Sequence, residues 1–234
     1  MKNRKIIGMI GGVGPQSTNY IYKKVVQLAQ REYKAKNNDD YPEMVIHSIP
    51  IPDFISDKSQ VETALKMLGS SVKLLENAGS TALAIGSNTV HILIPELKKN
   101  AKTGFISVVE LVARKCRDKK FRTVALLGSP VLIKSRIYEK EFNKYNIKIL
   151  IPKNEELKTL DHMIRSVLAG KKEHEKRDEY VRLINRLLGE GAEAIILGCT
   201  ELPMAINYEA LGDKMINCDE ILAEGIVNYY YKPL

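Results

Sequence analysis

The chain contains no tryptophan, and aromatic residues make up only 6% of its 234 residues. Its 36 lysine and arginine residues outnumber 28 acidic residues and leave a formal net charge of +8. A basic protein favours nucleic acid or an acidic small molecule as its ligand. The densest basic clusters, Arg114–Lys120 and Lys171–Arg177, have no aromatic residues interleaved with their charges. The composition therefore predicts no nucleic-acid partner and favours an acidic small molecule.

Cysteine is also scarce, with Cys116, Cys199 and Cys218 as the three examples. An odd number at wide spacing argues against a disulfide framework, and without a CxxC or Cys/His cluster there is no zinc motif. The apolar run before Gly11 is too short for a signal peptide or a membrane span. We therefore expect a cytoplasmic protein with free thiols, no membrane partner and no metal.

Short apolar runs alternate with longer stretches of helical periodicity. This alternation is typical of βαβ units around a parallel sheet, in which ligands bind at the carboxyl ends of the strands. The predicted strands are Ile6–Ile10, Met44–Ile49, Thr81–Gly86, Thr103–Ser107, Thr123–Leu127, Ile147–Ile151 and Ala194–Leu197. The predicted helices include Thr18–Tyr33, Gln60–Asn77 and Arg177–Gly189.

The chain repeats one pattern. Gly79–Thr89 aligns without a gap on Gly191–Glu201, and each segment holds a turn, an apolar strand, a glycine and a nucleophile-type residue. Such a repeat predicts two pseudo-symmetric α/β lobes, each a mainly parallel sheet flanked by helices. Ser87 and Cys199 are expected at equivalent strand ends that face a cleft between the lobes.

Cys199 is the strongest candidate for chemistry. It lies between a predicted strand and a predicted helix, whose N-terminus would lower the pKa of the thiol. Thr200 and Glu201 follow as N-cap and first-turn residues. A small buried cysteine is the alternative interpretation, but Gly198 before it and the polar pair after it favour function.

Ser87 occupies the position in the first repeat that Cys199 occupies in the second. Asn88 and Thr89, with their backbone N–H groups, are candidates to bind a carboxylate at a helix start. Helix capping without a ligand is the alternative. His91 lies one turn further on, either to orient a catalytic group or as an ordinary helix residue.

A glycine-rich turn follows the first strand, over Gly11–Thr18. Its spacing matches neither G-x-G-x-x-G nor the P-loop, which argues against a nucleotide site. A turn that presents N–H groups with Ser17 and Thr18 to a small anion fits better. A second, weaker repeat sets Ile7–Gly12 beside Val124–Ser129, so Ser129 is expected to do the same from the second lobe.

Together these segments resemble the aspartate/glutamate racemase family. The resemblance is carried by Ile10–Thr18, Ser87–His91 and Gly198–Glu201, with weaker support from Tyr138–Phe142. It implies an α/β fold of two lobes, the first of residues 1–105 plus 206–234 and the second of residues 106–205. It also implies a homodimer and an isomerase that needs no pyridoxal phosphate, metal or nucleotide.

The resemblance implies racemisation of aspartate or glutamate, in which one group removes the α-proton and another returns a proton to the opposite face. The family has cysteine at both strand ends, whereas this chain has Ser87 beside Cys199. A hydroxyl is a much weaker acid than a thiol and needs activation. Three explanations stay open: a one-sided native enzyme with a preference for the L-enantiomer, an engineered Cys→Ser change, or a lost or changed activity.

Two basic residues of aspartate-specific members are also missing, because Phe54 and Leu168 stand in their places. They would bind the side-chain carboxylate, and Lys58 and Arg165 are conjectural substitutes. The residues expected to bind the substrate are Val13, Gln16, Ser17, Thr18, Lys58, Asn88, Thr89, Ser129, Arg165 and Thr200.

Two other functions compete. Related two-lobed folds with a single cysteine resemble decarboxylases and cis–trans isomerases of small diacids. A homologue that binds a carboxylic acid without turning it over is the second alternative.

Overall fold

The computed structural model describes residues 4–52, 58–170, 177–205, 212 and 214–232. The chain divides into two compact units, the first of Met1–Val108 with Asp219–Leu234 and the second of Val109–Cys218. The boundaries expected from sequence were 105 and 205. The later boundary differs because Met215–Asn217 is a strand of the second sheet.

The first unit is built on a four-stranded parallel sheet of order β2-β1-β3-β4. Its strands are β1 (Ile7–Gly11), β2 (Met44–Ser48), β3 (Ala82–Ile85) and β4 (Phe105–Ile106). Its helices are α1 (Pro15–Tyr33), α2 (Val61–Asn77), α3 (Ile94–Leu97) and α10 (Cys218–Tyr231), with 3-10 turns at Asn38–Asp40, Lys58–Gln60 and Thr89–Leu93.

The second unit has a four-stranded parallel sheet of order β6-β5-β7-β8, which is the same topology. Its strands are β5 (Thr123–Leu127), β6 (Lys148–Leu150), β7 (Ala194–Leu197) and β8 (Met215–Asn217). The helices in chain order are α4 (Val108–Asp118), α5 (Pro130–Ser135), α6 (Ile137–Phe142), α7 (Asn154–Leu168), α8 (Arg177–Gly189) and α9 (Leu202–Ala205), with a 3-10 turn at Asn143–Tyr145. The predicted architecture of two parallel sheets flanked by helices is thus confirmed.

The core of the first unit lies between its sheet and α2. Every residue of β1 and β3 is buried, as expected for strands covered on both faces. The side chains of Leu68, Val72 and Leu75, which recur at helical spacing along α2, pack into the hydrophobic core of this unit. Burial of these side chains, more than helix propensity, stabilises α2.

The two sheets share one register. In the first, Ile7 of β1 lies beside Ala82 of β3. In the second, Val124 of β5 lies beside Ala194 of β7. These are the residues that the two repeats align, so each repeat continues into the pairing of the central strands.

The correspondence extends past the strand ends. The N–H of Gly86 donates to the carbonyl of Ile10 at 2.9 Å, and the N–H of Gly198 donates to the carbonyl of Leu127 at 2.7 Å. A Cβ on Gly198 would lie 2.9 Å from that carbonyl oxygen, so close approach requires glycine there. The backbone is therefore the same up to the two predicted nucleophiles.

Helix α10 returns to the first unit and packs on α1. The Tyr33 and Tyr231 rings stack with centroids 4.2 Å apart, and the Tyr33 hydroxyl donates to Asn228 at 3.0 Å. Lys24 pairs with Glu220 at 2.6 Å. Among the helices in the described ranges, none is long and apolar enough to cross a membrane.

Candidate active site

Cys199 is half-buried and follows β7 after one glycine. Its Sγ donates a hydrogen bond to Oε2 of Glu201 at 3.0 Å. The Glu201 side chain is itself buried, with 5% of its surface exposed. This hydrogen bond orients the thiol proton towards the carboxylate, and the carboxylate is a group to which that proton can pass when the sulfur acts as a base.

Glu201 is the functional candidate that sequence reasoning assigned only to a helix turn. Two residues, Thr200 and Glu201, separate Cys199 from the first residue of α9. The sequence predicted a helix N-terminus beside the thiol. The structure adds a direct contact between the thiol and a carboxylate. The signal available in the sequence was a charged residue two positions after the candidate nucleophile, between the apolar strand Ala194–Leu197 and the apolar Leu202.

Ser87 occupies the corresponding position after β3 and is half-buried. Among the residues that the structure describes, no side chain hydrogen-bonds to its hydroxyl. His91 contacts the Ser87 carbonyl instead, through a hydrogen bond of 2.7 Å donated by Nδ1. The hydroxyl therefore has no base beside it in the described part of the first unit.

His91 is committed to the main chain by both ring nitrogens. Its Nε2 accepts from the N–H of Val108 at 3.2 Å, so the Nδ1–H tautomer follows from the two partners. Burial lowers the pKa of His91 to about 4, which keeps the ring neutral. His91 was expected either to orient a catalytic group or to be an ordinary helix residue. Its two hydrogen bonds show that it supports the main chain at Ser87 and Val108.

The glycine-rich turn after β1 is closed by Thr18. The N–H of Gly12 donates to Thr18 Oγ1 at 3.0 Å, and that hydroxyl donates to the Gly14 carbonyl at 3.3 Å. Gly14 has a φ of 88°, a conformation that favours glycine. Val13 packs against the core, and Gln16 is exposed at the start of α1.

Ser17 is fully buried inside the first unit. Its hydroxyl lies 3.2 Å from the Gly86 carbonyl and 3.5 Å from a carboxylate oxygen of Asp219, in the first turn of α10. Ser17 thus ties the turn after β1 to the end of β3. Asn88 and Thr89, each 4% exposed, follow at the same edge of the sheet.

The second unit has the matching arrangement. Ser129 follows β5 and caps α5, where its hydroxyl accepts from the N–H of Leu132 at 3.2 Å. A Cβ on Gly128 would lie 3.4 Å from the Gly198 carbonyl, so the ends of β5 and β7 are adjacent. Thr200 is 7% exposed beside Cys199. Ser129, Cys199 and Thr200 therefore share one edge of the second sheet.

The two conjectured carboxylate partners are not brought to these edges by any described contact. Arg165 lies on the exposed side of α7 and pairs with Asp161 at 2.9 Å. Leu168 is 52% exposed. Phe54 and the side chain of Lys58 lie outside the described residues.

The other cysteines are buried. Burial raises the pKa of Cys116 to about 12, so this thiol is unreactive. Cys218 lies 3.4 Å from the Tyr138 hydroxyl. Within the described ranges, no group of three or more His, Cys, Asp or Glu side chains forms a metal site.

The sequence profile of the Asp/Glu/Hydantoin racemase family matches residues 10–223. The broad-specificity amino-acid racemase RacX of Bacillus subtilis (strain 168) is 27% identical over 227 residues, which cover 96% of this chain and 98% of RacX.

Two solved structures have the same fold over nearly the whole chain. An aspartate racemase homologue from Pyrococcus horikoshii OT3 is 30% identical, with a TM-score of 0.80, and the match covers 98% of this chain and 100% of that one. The aspartate racemase of Picrophilus torridus is 27% identical, with a TM-score of 0.82 and coverage of 98% and 96%.

Proposed function

This chain belongs to the Asp/Glu/Hydantoin racemase family and is an amino-acid isomerase, and we propose that it works without a cofactor, with Cys199 as the thiol base that removes the α-proton of one enantiomer and as the acid in the reverse direction. The observation that carries this proposal is the hydrogen bond of 3.0 Å between the Cys199 thiol and the buried Glu201 carboxylate. It provides an acceptor for the proton that the thiol must lose before it acts as a base.

The proposed reaction conserves protons. The thiolate of Cys199 takes the α-proton, and the C–H electron pair stays on the α-carbon, where the substrate carboxyl group delocalises it. Ser87 or water then donates a proton to the opposite face, which completes the inversion. The cycle closes when the Cys199 thiol gives up its proton to solvent and the Ser87 alkoxide, or the hydroxide left by water, takes one up. The carbanion-like state needs electrostatic help, because an α-proton is very weakly acidic.

Ser87 is proposed as the weaker partner. Its backbone position corresponds to that of Cys199, but its hydroxyl has no base among the described residues. A hydroxyl can donate a proton to a carbanion more readily than it can remove one from carbon. We therefore expect the α-proton of one enantiomer to exchange with solvent faster than that of the other, while net racemisation, whose equilibrium constant is unity, is slow in both directions.

The carboxylate of the substrate is proposed to bind at the two strand-end loops. Asn88, Thr89 and Thr200 are buried polar residues that follow Ser87 and Cys199 directly in the chain, and this proximity in sequence supports their proposed role. The other proposed binding residues are Val13, Gln16, Ser17, Thr18, Lys58, Ser129 and Arg165.

Aspartate and glutamate are the proposed substrates. The net charge of +8 favours approach of a dicarboxylate. A racemase of broader specificity is the second candidate, favoured by the match to RacX and by the exposed Leu168 where aspartate-specific members have a basic residue.

The test is proton NMR of L- and D-aspartate and of L- and D-glutamate in deuterated buffer, with alanine as a neutral substrate. We expect exchange of the α-proton of one enantiomer in the wild-type chain. Cys199→Ala should abolish that exchange, and Ser87→Cys should add two-way racemisation.

The contrary results are specific. Saturable binding without exchange in any variant would contradict the proposal and indicate a carboxylic-acid binder. Loss of a carboxyl group or a change of double-bond geometry in a diacid would indicate the decarboxylase or cis–trans isomerase alternative.

A further inference from the structure

Tyr180 is a core residue with an unusual polar atom. It lies near the start of α8, has no exposed surface, and its hydroxyl has no hydrogen-bond partner among the residues that the structure describes. Buried hydroxyls are nearly always hydrogen-bonded, because an unpaired one forfeits its bonds to water. Tyr180 therefore calls for a role beyond packing.

The topology of the second unit brings Tyr180 towards Cys199. Helix α8 packs against β7 and is joined to it by residues 190–193, so the two elements run in opposite directions. Tyr180 precedes the end of α8 at Gly189 by roughly 14 Å of helix. Cys199 follows the start of β7 at Ala194 by roughly 17 Å of extended chain. Both residues thus lie at the same end of this unit.

The electrostatics agree with this placement. Burial, and secondarily the charge of Cys199, raise the pKa of Tyr180. The phenol is therefore protonated at every physiological pH and can donate a hydrogen bond. Glu201 is in contact with the Cys199 thiol, and while it is ionised it can accept a hydrogen bond but cannot donate one.

We propose that Tyr180 is a positioning residue whose buried hydroxyl donates a hydrogen bond to the Cys199 thiolate. The role rests on the proposed function of Cys199 as a base. In the thiol state, the Sγ–H bond points to Glu201. Once that proton has moved to the Glu201 carboxylate or to water, the sulfur becomes an acceptor and turns to another staggered rotamer, towards Tyr180.

The test measures thiol reactivity without any substrate. Alkylation of Cys199 by iodoacetamide is followed between pH 5 and pH 10 in the wild type and in Tyr180→Phe, with mass spectrometry to assign the modified cysteine. Hydrogen bonds to charged groups correspond to a change of roughly tenfold or more in an equilibrium. We therefore expect alkylation of Tyr180→Phe at neutral pH to be about tenfold slower, and its midpoint to lie about one pH unit higher.

Tyr138→Phe is the matched control. Tyr138 is a buried tyrosine of the same unit, and its hydroxyl contacts the thiol of Cys218 at 3.4 Å. Its loss should leave the pH profile of Cys199 unchanged. The melting temperature of Tyr180→Phe should equal or exceed that of the wild type, since the change removes a buried hydroxyl without a described partner.

An unchanged pH profile in Tyr180→Phe would overturn the proposal. So would a variant that unfolds, because the hydroxyl would then stabilise the fold through a partner of its own. Failure of this role can be told apart from failure of the proposed function. If the wild type exchanges the α-proton but the pH profile of Cys199 alkylation is the same in Tyr180→Phe, only the role of Tyr180 is refuted. A shifted profile without any exchange removes only the racemase activity.

Discussion

The imidazole of His91 has a main-chain group at each ring nitrogen. This arrangement makes the free energy of unfolding depend on pH. The folded protein holds the ring neutral down to about pH 4, whereas the same ring in the unfolded chain binds a proton below 6.5. The folded state therefore binds fewer protons than the unfolded state between these values. Stability must fall as pH decreases through that window, by at most about 1.4 kcal/mol per pH unit.

His91→Gln should isolate this effect, since an amide has a donor for the Ser87 carbonyl and an acceptor for the Val108 N–H but does not titrate. We expect the variant to be less stable than the wild type at pH 7. The difference should narrow by about 2 kcal/mol at pH 5. Denaturant unfolding at both pH values measures it, and a difference that does not change with pH would contradict the assignment of a neutral, buried His91.

Residue chemistry was the part of the site that sequence revealed most directly. Cys199 and Ser87 follow from the repeat and from the motifs around them. The contact between Cys199 and Glu201 depends on a side-chain rotamer, and the place of Tyr180 depends on how α8 packs. In the sequence, Tyr180 has the same helical spacing as Leu183, Ile184 and Leu187, so it is indistinguishable from an ordinary core residue on the apolar face of α8.

At the scale of elements, the length of a strand or helix determined whether its position could be predicted from the sequence. The strands Thr123–Leu127 and Ala194–Leu197 and the helix Arg177–Gly189 have the predicted bounds, because turn residues delimit their apolar patterns. The strand expected over Thr103–Ser107 shrinks to Phe105–Ile106. Strand β8 was missed, since a three-residue segment with two apolar side chains has no detectable period.

The two glycines that precede the nucleophiles offer a matched pair of substitutions. A Cβ on Gly198 would meet the Leu127 carbonyl oxygen at 2.9 Å, whereas a Cβ on Gly86 would meet the terminal methyl of Met9 at 3.0 Å. A carbonyl that already accepts a hydrogen bond from Gly198 cannot move aside, but a methionine methyl can. The consequences should therefore differ.

We expect Gly198→Ala to lower the free energy of unfolding by about 1–3 kcal/mol and to displace Cys199, with loss of α-proton exchange. Gly86→Ala should cost less than about 1.5 kcal/mol. Thermal unfolding and the NMR exchange assay check both variants. Equal effects would mean that the β5–β7 pairing is not what positions Cys199.

At the scale of the whole molecule, net charge is the property that bears on substrate choice. A protein of charge +8 attracts a dicarboxylate over a distance set by the Debye length. That length falls from about 30 Å at 0.01 M salt to about 10 Å at 0.1 M. Salt therefore separates an anionic substrate from a neutral one.

We expect kcat/KM for aspartate or glutamate to decrease as salt rises over this range, and the value for alanine to change little. Steady-state exchange rates at three ionic strengths provide the measurement. Equal salt dependence for both substrate classes would argue against a contribution of the net charge and would favour the broad-specificity alternative.

The composition of the first unit from two separate chain segments has a consequence for biosynthesis. Helix α10 supplies contacts to α1, among them the stacked pair of Tyr33 and Tyr231, yet it is translated after the whole of the second unit. The second unit is continuous and can close while it emerges from the ribosome, since domains generally fold as units during synthesis. We therefore expect the second unit, which carries Cys199, to fold before α10 completes the first unit, which carries Ser87.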